Sequence, residues 1–504
     1  MQEYLAAKQA AADADVEPLV ERAHLDQWRE AVVMSAGHAN APVRRELLAG
    51  LLDRVDRDGR HARRLLVAGC LETVQELPTD LKERIDACLT EVIPPRNDAE
   101  ARSLASAGKE ALRRLPHDLR GLTTAKAVAT VRTCWLVNGS EALAKLAGYA
   151  GDTRRDVRRE LVAGWGYFDP DTYAAEVLAT VEPPYGRVVI ETPRLLDGLG
   201  RLRKVDAVDV DCPVDDLDFL RTTALLSWLA LRELRDASLE DLACHPELCW
   251  LWIHFTPARQ VDFEVLSRLP KLRELKLRGV DFTHLGFLDT VASLDSLLLE
   301  DLSRVRDFAP VTRHAGLRSL SLYRAQLRDP AFFASFPELE QVMLRGSALD
   351  GGLQALVSAV PGLEDLRLWH CDWVDDLGPL GDRRLRELQL GECSNVRDLS
   401  PLAGQENLHT LSLRHTGVTD LGPLAGLSGL SGLRHLNLYG CSGISDLGPL
   451  SSLPALVGVS LNGAARTLDL SALANMRNLT VFVDNAQVLR NTRALHRSVN
   501  VIRS

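Results

Sequence analysis

One apolar pattern, written five times between Leu363 and Leu461, constrains this sequence more than any other feature. The copies read LEDLRLWHC, LRELQLGEC, LHTLSLRHT, LRHLNLYGC and LVGVSLNGA, and they follow the form L-x-x-L-x-L-x-x-C/N. Because side chains alternate along a strand, positions 4 and 6 of each copy face one way and position 5 faces the other. One copy cannot bury its leucines alone, so the pattern predicts stacked copies that form a parallel sheet.

A short acidic turn follows most of the copies and predicts how they are connected. Asp376, Asp398, Asp420 and Asp446 each begin a segment Asp-Leu-x-Pro-Leu. An aspartate can accept a hydrogen bond from the next turn's amides, proline suits the first helical residues, and the leucines can point back inside. These segments therefore predict the outer wall of a curved solenoid whose sheet lies on the concave side.

The form is that of a leucine-rich repeat, and we expect about 14 repeats over residues 185–504. Spacings run from 20 to 25 residues, and the longest one, from 408 to 433, contains a near-duplicated LSGLSGL that predicts a bulge on the outer side. Repeats between 248 and 361 carry more helical outer segments, such as 329–336 and 351–360. The expected repeats start at Tyr185, Val205, Leu226, Leu248, Leu272, Leu294, Leu317, Leu339, Leu363, Leu385, Leu408, Leu433, Leu456 and Leu479.

The first 180 residues have helical instead of strand periodicity. Apolar residues recur three and four apart in 16–38, 42–55, 61–74 and 81–92, which predicts amphipathic helices separated by proline and glycine breaks. We divide this part into a helical region, 1–97, and a HEAT-like helical region, 98–184. The expected fold class is thus α plus α/β solenoid: helices first, then a leucine-rich repeat horseshoe with a parallel concave sheet, 185–504.

Composition excludes several classes of protein. The net charge is −10 with no basic tail, which argues against a nucleic-acid binder. We find no run of 18 apolar residues and no secretory signal, so we expect neither a membrane span nor export. The nine cysteines include no C-x-x-C pair. Cys371, Cys393 and Cys441 share position 9 of their repeats, which predicts buried, reduced thiols and a cytoplasmic protein in preference to a metal site.

No catalytic pattern is present in the sequence. Gly108-Lys109 lacks the first glycine and the following Ser or Thr of a phosphate-binding loop, and neither a zinc-protease motif nor a nucleophile elbow occurs. We therefore expect no enzymatic activity in this chain and no cofactor.

What remains is a surface. Positions 5 and 7 of the repeats should stand on the concave face, and they are rich in tryptophan, tyrosine and arginine, the residues that dominate interface hot spots. An adventitious inner surface with internal ion pairs is the alternative interpretation of the same residues. The side chains that we predict to bind a protein partner are Trp252, His254, Arg278, Tyr323, Arg345, Arg367, Trp369, Arg414 and Tyr439.

The chain resembles the C-terminal sensing half of bacterial, actinobacterial NACHT (STAND-type) NTPases. The opening Gln2-Glu-Tyr-Leu-Ala-Ala7 is similar to the segment that follows the ATPase part of that family, and residues 24–30 with Gly37-His38 are similar to the helical region after it. The repeats resemble the internalin-like 22-residue class. The family's nucleotide-binding domain would precede Gln2 and is absent from this sequence, so no phosphate-binding residue carries over.

This resemblance implies a non-catalytic recognition module that senses a ligand through its repeats and controls an ATPase, present in trans or in a longer product. A stand-alone scaffold or regulator that binds an endogenous protein is the alternative hypothesis. A fragment of a nucleotide-binding NTPase whose ATPase domain lies elsewhere is a more distant one.

Overall fold

The computed structural model describes residues 16–58, 61–71, 79–235, 238–329, 331–425 and 432–503, without the side chains of residues 26, 56–58, 61, 62, 79 and 404. They form two compact units: Met1–Cys212 with Asp218–Leu226, and Pro213–Leu217 with Ser227–Ser504. The opening residues 2–7 and residues 426–431 of the duplicated insert, on which two of the predictions rest, lie outside the described residues.

The first unit is built mainly from helices, as the 3.6-residue periodicity predicts. Several of the helices end beside a proline or a glycine, as at Arg114, Val137 and Ala163. Asn97 and Asp169 cap two of them by accepting hydrogen bonds from the amides of Glu100 and Thr172. The helices are Glu17–Arg22, Arg29–His38, Ala41–Asp58, His61–Cys70, Thr79–Val92, Asp98–Ala105, Lys109–Arg114, Thr124–Val137, Ser140–Tyr149, Arg155–Ala163, Pro170–Glu176 and Leu196–Leu199.

The predicted helix 16–38 is in fact two helices. The first ends at Arg22, and a single 3-10 turn, Asp26–Trp28, precedes the second. Hydrogen bonds from the amide of Leu25 to the carbonyl of Arg22, and from Trp28 to Leu25, tighten the chain here. The apolar spacing continues through the break, so periodicity alone does not reveal it.

A partly buried ion-pair network ties three helices of the first unit together. Arg132 donates to both carboxylate oxygens of Glu160, at 2.6 and 2.7 Å, and also pairs with Asp98. The Trp135 indole N–H donates to Glu160 at 3.1 Å. The hydrogen bond with Glu160 raises the pKa of the Arg132 guanidinium, and because Glu160 is only 4% exposed, removing Arg132 would leave a buried carboxylate without its ion pair.

Two repeat-like strands follow the helices. Arg187–Ile190 pairs in parallel with Ala207–Val214, at the positions where the first two repeats are predicted.

The second unit is a leucine-rich repeat solenoid, which together with the helices confirms the predicted fold class. Each strand of its main sheet pairs in parallel with the next one along the chain, so the register of the repeats is kept from copy to copy. The strands are Trp228–Leu234, Trp250–Arg259, Glu274–Val280, Ser296–Leu299, Ser319–Tyr323, Gln341–Arg345, Asp365–Trp369, Glu387–Gly391, Thr410–Ser412, His435–Asn437, Gly458–Ser460, Thr480–Val483 and Asn500–Arg503.

The predicted alternation of burial holds along these strands. In Asp365–Trp369, Leu366 and Leu368 are fully buried while the residues on either side remain partly exposed. The leucine columns of successive repeats stack on one another and form a continuous core. Positions 3, 5 and 7 are left on the opposite side, and this side is the concave face referred to below.

The outer wall also matches its prediction. The Asp376 carboxylate accepts a hydrogen bond from the amide of Gly378 at 2.7 Å, and Asp398, Asp420 and Asp446 cap their own turns in the same way at 2.7–2.9 Å. Short 3-10 turns such as Gly378–Leu380 follow these aspartates. The earlier segment 351–360 instead forms an α-helix, Gly352–Ala359, and a four-residue helix, Ala309–Thr312, lies in the same part of the chain.

Three pairings were not predicted. Asn500–Arg503 adds a strand beyond the last expected repeat, next to Thr480–Val483. Two small parallel sheets also form, Gln326–Leu327 with Ala348–Leu349 and Thr467–Asp469 with Val488–Arg490. These segments carry too few leucines to repeat the pattern, so they are recognised only once their neighbours are in place.

Candidate partner-binding face

The concave face of the second unit begins with a cluster of tryptophans. Trp228 and Trp250 lie side by side on adjacent strands, with ring centroids 4.1 Å apart and nearly parallel planes. Trp252 meets Trp250 edge-on at 6.4 Å. Arg232 stacks over Trp252 at 4.7 Å and Lys276 over Trp250 at 5.1 Å. We call these five residues the tryptophan patch, and they combine apolar area with positive charge, which is typical of interface hot spots.

The next stretch of the face is more closed. His254 and Arg278 lie directly opposite each other on neighbouring strands, and both are half-buried. Arg278 pairs with Glu300 at 3.5 Å and reaches over the ring of Tyr323 at 5.8 Å.

Tyr323 is much less available than position 7 of its repeat suggests. It is only 6% exposed, because Arg278 covers its ring and its hydroxyl donates to the sulfur of Met343 at 3.1 Å. Of the predicted partner-binding residues, Tyr323 is therefore one whose ring offers little contact area.

Trp369 sits at the centre of the second half of the face, and a glycine makes room for it. Trp369 lies opposite Gly391 on the next strand. A Cβ atom on Gly391 would lie 2.3 Å from the Trp369 ring, far inside normal contact distance, so the ring rests directly on the glycine backbone. Arg345 is the strand neighbour on the other side. It is exposed, and the described residues include no ion-pair partner for it.

Arg367 is held in an internal ion pair. It donates to both carboxylate oxygens of Glu387, at 2.9 and 3.0 Å, in the two-pronged geometry that arginine favours. Gln389 also donates to Glu387. Burial raises the pKa of the neighbouring Asp365 carboxyl, and the negative charge of Glu387 raises it further. The Arg367 guanidinium is thus already neutralised by a carboxylate of the same face.

The C-terminal part of the face is a stack around Tyr439. Arg414 lies over the Tyr439 ring at 4.7 Å, and His415 meets the ring edge-on at 5.2 Å. Glu392 lies 3.8 Å from Arg414 and 3.9 Å from His415. Tyr439 itself is 39% exposed, so its ring is both fixed and accessible. We define the Trp369–Tyr439 patch as six residues: Arg345, Trp369, Glu392, Arg414, His415 and Tyr439.

A column of left-handed residues runs along the edge of this face, at position 8 of the repeats. Glycine occupies that position at Gly279, Gly346, Gly440 and Gly463. Five residues with side chains adopt the same conformation, which costs each of them roughly 1–2 kcal/mol relative to the right-handed region. They are Asp301, Arg324, His370, Glu392 and His415, with φ between 51° and 61°.

Sequence reasoning missed several residues of this face. Trp228 and Trp250 occupy position 3 of their repeats, whereas the sequence analysis assigns only positions 5 and 7 to the concave face. The signal was available, because positions 3, 5 and 7 share one side of a strand. Glu387 and Glu392 were missed for a different reason, since their roles depend on which arginine each one meets in space.

A second column, at position 9, points into the core and is structural. As predicted, Cys371, Cys393 and Cys441 are buried, free thiols, and they donate to the carbonyls of Leu344, Leu368 and Leu413 in the preceding repeats. Burial raises the pKa of Cys371 to about 12 and that of Cys393 to about 11. Ser347 and Gln487 make the equivalent hydrogen bonds, to Leu322 and Leu461, in repeats without a cysteine.

The described residues contain few features of other kinds of site. There, His, Cys, Asp and Glu side chains nowhere gather in threes as a bound metal ion would need. Among the helices of the part of the chain that the structure describes, none has both the length and the hydropathy of a transmembrane span.

Comparison with known proteins supports the repeat assignment. The family model described as "Leucine Rich repeats (2 copies)" matches residues 406–452. No curated protein matches the chain.

Solved structures similar to this chain are also repeat proteins. An internalin of Listeria monocytogenes is 18% identical, with 60% of this chain and 82% of that one covered and a TM-score of 0.37. A leucine-rich repeat protein of Leptospira interrogans is 14% identical, with 65% and 96% covered and a TM-score of 0.39. The ectodomain of the Arabidopsis thaliana receptor kinase GASSHO1/SCHENGEN3, solved with CASPARIAN STRIP INTEGRITY FACTOR 2, is 12% identical, with 60% and 46% covered and a TM-score of 0.33. All three scores are below 0.5, so the fold assignment rests on the strands of the chain itself.

Proposed function

We propose that this chain is a protein-recognition module that binds its partner on the concave face of the second unit. One observation carries the proposal: fixed aromatic rings stay accessible on the concave face, while the leucines that alternate with them along the strands are fully buried on the opposite side. Trp369 rests on Gly391, and Tyr439 is held between Arg414 and His415, so neither ring loses much conformational freedom on binding. Preorganised rings of this kind give affinity at low entropic cost.

Charge on the same face favours a partner with acidic groups near its apolar contacts. Arg345 has no ion-pair partner among the described residues. Arg414 is compensated weakly, because the Glu392 carboxylate lies as far as 3.8 Å from it. By contrast, Arg367 is neutralised by Glu387. We therefore assign partner recognition mainly to Trp252, Arg345, Trp369, Arg414 and Tyr439, and positioning to Arg367.

The test is a double substitution, Trp369→Ala with Tyr439→Ala, in the full chain. A partner captured by the wild type and identified by mass spectrometry should bind the double variant at least about tenfold more weakly, the loss expected when hot-spot rings are truncated. Phe287→Ala is the matched control, because this half-buried ring lies in the outer turn Gly286–Thr290, away from the face.

Two results would count against the proposal. Undiminished binding by the double variant would place the partner elsewhere, and equal loss in Phe287→Ala would indicate a general effect of destabilisation. Circular dichroism of all three proteins distinguishes lost contacts from lost folding.

The finer proposal is that this chain senses its ligand through the repeats and controls an ATPase of the NACHT class, present in trans or in a longer product. Its support is the resemblance of residues 24–30 and 37–38 to the helical region of that family, together with the repeats that follow. Reading the DNA upstream of codon 1 in the same frame tests it: an uninterrupted frame into a phosphate-binding loop supports it. If that frame is closed and the captured partner is a single protein without ATPase activity, the stand-alone scaffold is the better description.

A further inference from the structure

The first unit contains an open groove beside its first repeat-like strand. It has a volume of about 750 Å³ and lies between the helix Arg155–Ala163 and the outward face of the strand Arg187–Ile190. Arg155, Arg159 and Val162 line one wall, and Val189 with Arg194 line the other. All of these residues belong to the same compact unit.

The groove exposes an unusual amount of apolar surface. Tyr185 is 80% exposed, Tyr167 is 50% exposed and Val189 is 42% exposed. The polar groups beneath them are already satisfied: the indole N–H of Trp135 donates to Glu160, and that of Trp165 donates to the carbonyl of Pro170 at 2.9 Å. A ligand therefore meets rings and an aliphatic side chain on the floor, without buried polar groups to desolvate.

Positive charge surrounds this apolar floor. Arg155 stacks on Tyr185 at 4.1 Å, and Arg194 donates to the carbonyl of Phe168 at 3.0 Å. Neither has an ion-pair partner in the described part of the chain. Arg159 has one, Asp156 at 3.0 Å, but both side chains are well exposed, so the pair is weak. Glu191 is the one carboxylate among the residues that line the groove.

The arrangement of the arginines decides between two anionic ligands. Arg155, Arg159 and Val162 are spaced along the side of their helix, so the side of the helix, and not its N-terminal amides, faces the groove. Arg194 comes from a separate segment. A single phosphate needs donors that converge on one point, often helix N-terminal amides. Guanidinium groups distributed around an apolar floor instead suit several carboxylates joined to apolar side chains.

We propose that this groove binds an acidic peptide segment whose carboxylates meet Arg155 and Arg194 and whose aromatic or aliphatic side chain packs on Tyr167, Tyr185 and Val189. The groove gives the chain a contact for a partner of this chemistry, in addition to the contact that we propose on the concave face of the second unit.

The experiment uses the full chain and a fluorescein-labelled peptide in which Glu or Asp alternates with Leu or Tyr. Fluorescence anisotropy should show saturable binding that weakens as NaCl rises, because exposed ion pairs are screened. The same peptide with Gln and Asn in place of the acids should bind at least about tenfold more weakly. The double variant Arg155→Gln, Arg194→Gln should show a loss of the same size.

Two control variants complete the test. Arg155→Lys with Arg194→Lys keeps the charge and should retain most of the affinity. Arg113→Gln with Arg268→Gln removes two exposed arginines elsewhere and should leave binding unchanged. The proposal is overturned if the acidic peptide fails to bind, if the Arg155/Arg194 double variant binds it normally, or if inorganic phosphate or a single-stranded oligonucleotide binds more tightly than the peptide.

Discussion

Gly391→Ala offers the sharpest test of how the concave face is built. The position is buried in the strand Glu387–Gly391, opposite Trp369, and its φ lies outside the left-handed region. The backbone therefore accepts alanine, and by itself this change should stabilise the fold by about 0.4–1 kcal/mol, since alanine has less freedom to lose on folding. The new Cβ, however, would lie 2.3, 2.5 and 2.7 Å from three ring atoms of Trp369.

The size of the clash sets the expected cost. Carbon atoms in contact prefer about 3.5–4.0 Å, so the ring must move by more than an ångström. Overpacking of this kind costs about 1–3 kcal/mol. Against the gain from alanine, we expect Gly391→Ala to lower the free energy of unfolding by about 1–2 kcal/mol.

In a double-mutant cycle, the effect of Gly391→Ala on the free energy of unfolding should change sign when the Trp369 ring is removed. In a Trp369→Ala background the ring is gone, and Gly391→Ala should then raise the free energy of unfolding by about 0.4–1 kcal/mol. Urea unfolding followed by circular dichroism gives the free energy of unfolding of the wild type, both single variants and the double variant. The four values can be compared if the dependence of the free energy on urea concentration is the same for all four proteins. If Gly391→Ala has the same effect with and without Trp369, the ring does not rest on this glycine and our account of the face is wrong.

Three further predictions follow from other positions. His314 is buried with its pKa lowered by desolvation, and its Nδ1 accepts from the amide of Leu294, as Gln405 accepts from Leu385. Below pH 6.5 the unfolded state binds a proton that the folded state does not, so the free energy of unfolding should fall as the pH drops, by at most about 1.4 kcal/mol per pH unit. Urea titrations at several pH values measure this dependence, and His314→Gln should remove it. Iodoacetamide at pH 8 should modify the exposed Cys244 and Cys249 but not Cys371 or Cys393, whose raised pKa keeps them protonated. Mass spectrometry after digestion identifies the modified cysteines, and early labelling of Cys371 or Cys393 would contradict the prediction. Arg324→Gly should stabilise the fold by up to about 1 kcal/mol because it relieves a left-handed residue, whereas Arg318→Gly, at ordinary φ, should destabilise it in thermal unfolding.

The sequence predicts the repeat architecture well because each copy encodes its own strand. Leu366 and Leu368 are buried for the same reason as every other pair at positions 4 and 6, and the aspartate before each outer turn caps that turn alone. Such features depend on neighbours within a few residues. The break at Arg22 and the strand Asn500–Arg503 were missed because each is determined by packing against other segments, and local spacing carries no sign of it.

The candidate site was harder to predict because exposure at one repeat position depends on the repeats beside it. Tyr323 and Trp369 both occupy position 7, yet Tyr323 is covered by Arg278 and bonded to Met343, while Trp369 lies against a glycine. Arg345 and Arg367 differ in the same way, because Glu387 neutralises only one of them. The division of the helical part at residue 97 and the boundary at 184 remain predictions.

The spacing of the exposed rings limits what can occupy the concave face. Trp252 and Trp369 are separated by five strand-to-strand steps, or about 24 Å, and Trp369 and Tyr439 by three steps, or about 14 Å. A small molecule reaches only one patch, whereas a folded protein domain or a long extended segment reaches both. If one partner bridges the face, the affinity losses from Trp252→Ala and from Trp369→Ala should add, because sites this far apart act independently. If the partner uses one patch alone, one of the two substitutions should have no effect, and the tryptophan patch and the Trp369–Tyr439 patch are then separate binding sites on one sheet.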